Sequence, residues 1–235
     1  GDRVGAMTKL AKIRNFDSSY IKKLHKSCIT GIENAGEADM QQCAHAIGHI
    51  YFDKNAFDTS GLHDAERSEP LGTINVSGIE RAFSECGELS PIESSACSNG
   101  VGHSLFVVSH YLYHDQISGG NYTFLFSSCQ NTKEFREVCY KAVIYRIGLN
   151  EVGPYFLTDN YDEGNSICKK ISEEMGDELG GFCYNGIGAF IGQIIHEYGK
   201  TDLASKCENA GNYSDACRRS MEEWINFLKT RKISG

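Results

Sequence analysis

Proline is scarce in this chain, with three in 235 residues, and no Gly/Ser-rich or Pro-rich tract interrupts it. Linker-dominated and disordered architectures are thereby excluded. No CxxC or CxC pair occurs, which removes the signature of zinc ribbons and thiolate clusters. The longest apolar stretches, Ser104 to Tyr113 and Gly186 to Ile195, fall well short of the roughly 20 residues that span a bilayer. Basic residues do not cluster, apart from Lys229, Arg231 and Lys232 near one end. With 23 Lys plus Arg against 31 Asp plus Glu, a net charge of −8, nucleic acid is not an expected partner, because phosphate contacts need grouped cations. Enzyme signatures are also thin. There is no G-x-S-x-G elbow and no Gly-Lys-Ser/Thr phosphate loop. His45-Ala-Ile-Gly-His49 lacks the glutamate that a metalloprotease helix uses as general base.

What the chain does contain is a core-forming composition, 40% hydrophobic and 23% charged, and ten cysteines in five consecutive pairs: Cys28/Cys43, Cys86/Cys97, Cys129/Cys139, Cys168/Cys183 and Cys207/Cys217. The gaps within pairs are 15, 11, 10, 15 and 10 residues. An even count at such spacings points to an oxidising compartment and to nearest-neighbour disulfides. Loops of this length would each contribute roughly 3 kcal/mol through the unfolded state. If all ten are oxidised, no thiol remains as a nucleophile. Three sequons, at Asn75, Asn121 and Asn212, agree with a secreted or cell-surface glycoprotein. A signal peptide would already be gone from such a mature chain.

Aligned on the second cysteine of each pair, the chain shows an internal repeat. The blocks read Cys43-AHAIGHIYF, Cys97-SNGVGHSLF, Cys139-YKAVIYRIG, Cys183-YNGIGAFIG and Cys217-RRSMEEWIN, with successive second cysteines 54, 42, 44 and 34 residues apart. That is the length of a helix–turn–helix unit. Each second cysteine opens a segment of helical period: Val101, Leu105, Val108 and Leu112 in one, Ile187, Phe190, Ile191, Ile194 and Ile195 in another. Each first cysteine closes a shorter candidate helix, such as Tyr20–Cys28, Ile79–Cys86 or Asp202–Cys207. Ser90-Pro91-Ile92-Glu93 reads as a cap, a first-turn proline and an early acid, and Asn131-Thr132-Lys133-Glu134 as a similar start. The fold class predicted is all-α: about five disulfide-pinned helical hairpins forming an α-solenoid or a compact αα-repeat bundle. The whole chain is read as one helical repeat domain, with repeats over 18–53, 78–115, 121–150, 164–198 and 201–230. A loop is expected over 54–77, carrying His63, Asp64 and Glu66.

Paired cysteines bracketing the turn of an αα-hairpin resemble the disulfide-bridged repeats of secreted Sel1-like proteins. The resemblance implies a solenoid of TPR-like hairpins used for binding rather than catalysis. It carries over no functional residue, because the alanine, tyrosine and glycine signature of Sel1 repeats is absent here.

Two further features share the cysteine register. Small residues recur just after the second cysteine, as Ala46/Gly48, Gly100/Gly102 and Gly186/Gly188. Glycine inside a helix costs about 1 kcal/mol against alanine, so its repetition predicts close approach of another helix or of the disulfide; approach of a ligand or metal to the backbone is the alternative. Histidines are matched too. His49 and His103 each lie six residues after their cysteine, and His110 and His196 each lie thirteen after theirs. His45 precedes His49 by four and His114 follows His110 by four, which places each pair on one helix face. Neutral imidazole suits Zn²⁺ or Cu²⁺. His45 with His49, or His49 with His103 across adjacent helices, forms one candidate metal site. His110 with His114, joined by His196, forms a second, and Asp53, Asp115 or Glu197 would add a carboxylate. No single ion can collect them all, since His103 and His110 are about 10.5 Å apart along a helix. The plainer expectation is that the histidines hydrogen-bond across the groove between helices. Tyr111, Tyr113, Tyr140, Tyr145 and Tyr184 are expected to fill the interhelix core, and Glu173, Glu174, Asp177 and Glu178 to form a solvated face.

Two function classes fit. The first is a secreted or cell-surface binding or assembly protein that presents a rigid surface to a protein, to a glycan, or to copies of itself in a homo-oligomer or filament. The alternative is an extracellular Zn- or Cu-binding protein built on the helix-borne histidines, a metal-dependent hydrolase if it is catalytic.

Overall fold

A computed structural model describes residues 18–58, 73–112 and 121–231. Helices α1 (Ser18–Thr30) and α2 (Glu37–Asn55) are followed by two short strands, β1 (Phe57–Asp58) and β2 (Thr73–Ile74). Then come α3 (Val76–Gly87), α4 (Pro91–Leu112), α5 (Thr123–Gln130), a 3-10 turn (Lys133–Phe135) and α6 (Arg136–Ile147). A π-helical turn (Gly148–Val152) leads into α7 (Gly153–Leu157). The remainder is α8 (Tyr161–Met175), α9 (Asp177–Tyr198), a 3-10 segment (Thr201–Tyr213) and α10 (Ser214–Thr230). The architecture is therefore all-α apart from the antiparallel pair Phe57↔Ile74 and Asp58↔Thr73. Two strand residues on each side carry no alternation to read, so the expected loop over 54–77 concealed them. The residues between those strands, including His63, Asp64 and Glu66, lie outside the described residues.

Local chemistry explains where several helices begin and end. Gly36 N–H donates to Asp39 Oδ2 at 3.1 Å, and Glu37 and Asp39 put negative charge on the first turn of α2, where the helix dipole favours it. Asn75 caps α3, its Oδ1 accepting from Ser77 N at 3.1 Å. Helix α4 begins at Pro91 as expected, with the Ser90 hydroxyl donating to Glu93. The analogous start at Asn131–Glu134 differs: the Thr132 hydroxyl turns back to donate to Cys129 O at 2.8 Å, so it finishes α5 instead of capping a new helix. Helix α9 stops at Gly199, which adopts the left-handed conformation (φ 69°) and donates its N–H to Ile195 O. Only glycine takes that conformation without a steric cost.

Five disulfides join Cys28–Cys43, Cys86–Cys97, Cys129–Cys139, Cys168–Cys183 and Cys207–Cys217. Each links one helical segment to the next, α1 to α2, α3 to α4, α5 to α6, α8 to α9, and the long 3-10 segment to α10. Apart from Cys28, every cysteine is buried, so the clasps lie within the apolar interior. No free cysteine remains. Among the described residues, no helix is long and apolar enough to cross a membrane.

The chain divides into two compact units, Gly1–Cys139 and Tyr140–Arg231. In the first, the most extensive packing is α2 against α4, around Ile21, Ile47, Tyr51, Phe52, Ile79, Phe83, Val101 and Leu105, all buried. A half-buried polar knot closes one end. Glu85 accepts from Ser18 Oγ (2.6 Å), Lys54 Nζ (2.9 Å) and Asn55 Nδ2 (3.0 Å), tying α1, α2 and α3 together. In the second unit α9 packs most extensively on α10, around Ile144, Ile147, Phe156, Ile187 and Ile191. Tyr184 stacks on Tyr213 with ring centroids 4.5 Å apart; Tyr184 is buried and Tyr145 half-buried, and each hydroxyl is pushed up to about 12, by desolvation first of all. Glu173, Glu174, Asp177 and Glu178 are exposed.

Candidate functional site: three histidines at a glycine crossing

The crossing of α2 and α4 brings backbone against backbone. A Cβ added at Gly48 would lie 2.0 Å from Cys97 O, and one at Gly100 would lie 2.1 Å from His45 O. Both positions therefore require glycine for helix approach, whereas Ala46, the partner of Gly48 in the small-residue pattern, is exposed. At this separation, side chains one turn from the contact point toward each other across the seam. His45 lies three residues before Gly48, His49 one after it, and His103 three after Gly100.

Their rings meet. Centroids are 4.8 Å apart for His45 and His49, 5.6 Å for His45 and His103, and 4.8 Å for His49 and His103. His45 Nε2 sits 3.1 Å from His49 Nε2 and 3.4 Å from His103 Nδ1. One nitrogen from each ring can be chosen so that all three lie within 4.8 Å of one another. Among the described residues this is the one group of three or more His, Cys, Asp or Glu donors so arranged. All three side chains are half-buried.

Ser104, buried and next to His103, stands 2.6 Å through its Oγ from His49 Nδ1. With Nδ1–H donating to that hydroxyl, His49 presents the lone pair of Nε2 to the other rings, and its orientation is held. Sequence reasoning did not single out Ser104. Its signal was a hydroxyl at the seventh position after Cys97, where the seventh position after Cys183 is Phe190.

The second unit repeats the crossing without the histidines. A Cβ at Gly148 would lie 1.9 Å from Cys183 O, and one at Gly186 would lie 2.2 Å from Tyr145 O. Superimposing these contacts on those of the first unit matches His45 with Tyr145, His49 with Leu149, His103 with Ala189 and Ser104 with Phe190. A third contact, Gly188 on Cys217 O at 2.0 Å, again contains no imidazole. Close crossing of these helices thus does not need histidine. Where the hydroxyl and imidazole of the first unit sit, the second has two apolar side chains.

The other expected ligands are distributed differently. His110 lies on α4 with its ring 6.0 Å from that of Phe106, and His196 lies in the last turn of α9, in the second unit; neither enters a three-donor group. His114 and Asp115 lie outside the described residues. Glu197 is exposed and accepts from Gln193 Nε2 at 2.9 Å. Asp53 is half-buried on α2 and is not part of the three-histidine group. Asn75, Asn121 and Asn212 are all exposed. Compared with known proteins, the chain matches no family model, no curated protein and no solved structure.

Proposed function

We propose that this chain is an extracellular metal-binding protein that holds one Zn²⁺ or Cu²⁺ ion on His45, His49 and His103. The carrying observation is donor spacing. An ion with metal–nitrogen bonds of about 2.0–2.1 Å in tetrahedral geometry needs nitrogens about 3.3 Å apart. The distances of 3.1 and 3.4 Å around His45 Nε2 bracket that edge. The set is all imidazole, which suits zinc and copper, and Ser104 supplies the outer-shell contact that zinc-binding histidines ordinarily have. A proton on His45 Nε2 shared by the other two rings would satisfy the same distances, but the histidine-free crossings of the second unit speak against a purely structural need for three imidazoles.

In this reading the frame is a helical repeat, one clasped helix pair per unit of sequence, and it is supported by the recurrence of the glycine–carbonyl contact. The five disulfides support a secreted or cell-surface setting. The test is metal titration of chelator-stripped protein. One equivalent of Zn²⁺ per chain is expected, with a rise in melting temperature on binding. His45→Gln, His49→Gln and His103→Gln are expected to lose it, and His110→Gln and His196→Gln to keep it. Absence of stoichiometric Zn²⁺ or Cu²⁺ binding, or binding that survives all three ligand substitutions, would overturn the proposal.

A further inference from the structure

We infer that the ion on His45, His49 and His103 has an exchangeable fourth ligand and that this position takes a small anion. The inference rests on the metal-binding reading above and adds the chemical class of what the ion binds. Three features of the site lead to it. First, among the described residues no fourth His, Cys, Asp or Glu joins the group. Structural zinc sites are closed by four protein ligands, whereas three protein ligands leave a position to solvent or substrate.

Second, the ligand set is neutral. Sites built from thiolates or carboxylates cancel much of the charge of a divalent ion, but three imidazoles leave it whole. An anion in the fourth position then gains the most, and a half-buried setting screens that attraction less than bulk water would. The chain's net charge of −8 acts at longer range, where salt attenuates it within about 8 Å.

Third, the donors are not sealed from solvent. The histidines are half-buried, Ala46 beside His45 is exposed, and Val107, one turn beyond His103, is 41% exposed. Neither Ala46 nor Val107 carries a side-chain donor that could close the coordination. The ligand class is thus hydroxide, a small inorganic anion or the carboxylate end of a small molecule.

The test uses Co²⁺ as an optical stand-in for Zn²⁺ in the full, disulfide-intact chain, with sodium azide and then sodium thiocyanate as probes. The Co²⁺ protein is expected to show visible bands of a low-coordinate site, and these bands should shift saturably as azide is added. The same shift should be missing from free Co²⁺ mixed with the His45→Gln variant. A Co²⁺ protein with stoichiometric metal whose bands do not respond to saturating azide or thiocyanate would overturn this inference and leave the metal site standing. Failure to take up Co²⁺ or Zn²⁺ at all would overturn both.

Discussion

Substituting alanine for Gly48 tests whether the helix crossing builds the histidine site. The new methyl carbon would start 2.0 Å from Cys97 O, and Cβ atoms essentially never come closer than 3.0 Å to such a neighbour. Helices α2 and α4 must then part by about 1 Å, because backbone carbonyl and backbone helix cannot swing aside as a flexible side chain can. Overpacking of this kind costs about 1–3 kcal/mol, offset in part by the roughly 1 kcal/mol that alanine gains over glycine inside a helix. The net loss, up to about 2 kcal/mol, lowers the melting temperature by about 2–4 °C per kcal/mol in a chain of this size. Metal affinity should suffer more in proportion. Metal–ligand distances tolerate only about 0.2 Å, so a shift of His103 against His45 and His49 should weaken Zn²⁺ binding at least about tenfold, as loss of a supporting contact does.

The second unit supplies the control. Gly188→Ala places its methyl carbon 2.0 Å from Cys217 O, the same insult at a crossing without histidines. It should lower the metal-free melting temperature by a similar amount and leave Zn²⁺ affinity unchanged. Calorimetric titration and thermal unfolding on both variants decide the matter. Gly48→Ala binding Zn²⁺ like the wild type, or Gly188→Ala weakening it equally, would refute the reasoning.

Ser104→Ala should reduce Zn²⁺ affinity about tenfold with little change in the melting temperature of the metal-free protein, and Ser104→Thr should restore it; equal affinities in all three proteins would remove the orienting role of the hydroxyl. Burial alone would raise the Glu85 carboxyl, but hydrogen bonds from Ser18, Lys54 and Asn55, with the charge of Lys54, hold it below its ordinary value of 4.5. A lowered folded-state value stabilises above the unfolded value and is lost as pH falls through the folded one. The stability advantage of wild type over Glu85→Gln, measured by urea unfolding, should therefore hold at neutral pH and shrink as the pH drops below 4.5; an advantage that grows in acid would contradict this. Exposed Asn75 and Asn121 each use Oδ1 to accept a backbone N–H, from Ser77 and Thr123, leaving Nδ2 for a glycan. Expression through a eukaryotic secretory pathway should give a mass that falls on enzymatic deglycosylation, and unchanged mass would remove the glycoprotein reading.

Helical hairpins and clasps were legible because they are local properties. Cysteine gaps of 10 to 15 residues leave the end of one helix beside the start of the next, so chain connectivity alone fixes the partner. Val101, Leu105 and Val108 face the core because a helix repeats every 3.6 residues, and all three are buried. The small residues at Gly48, Gly100 and Gly186 signalled close approach, but not what they approached.

His49 and His103 each lie six residues after the second cysteine of their pair, which is a statement about register alone. Their meeting in space depends on α2 and α4 crossing at Gly48 and Gly100, a contact between residues 52 positions apart that no periodicity encodes. The same register matched His110 with His196, one in each compact unit, and His114, the third member expected there, lies outside the described residues. Ser104 shows the limit most clearly. In sequence it is one more small polar residue, and only the packed crossing turns its hydroxyl into the hydrogen-bond partner of His49. Sequence by itself thus determined the helices and the clasps, because these depend on neighbours along the chain. Which histidines share a site was decided by tertiary structure, because two backbones in contact bring together side chains that the chain holds far apart.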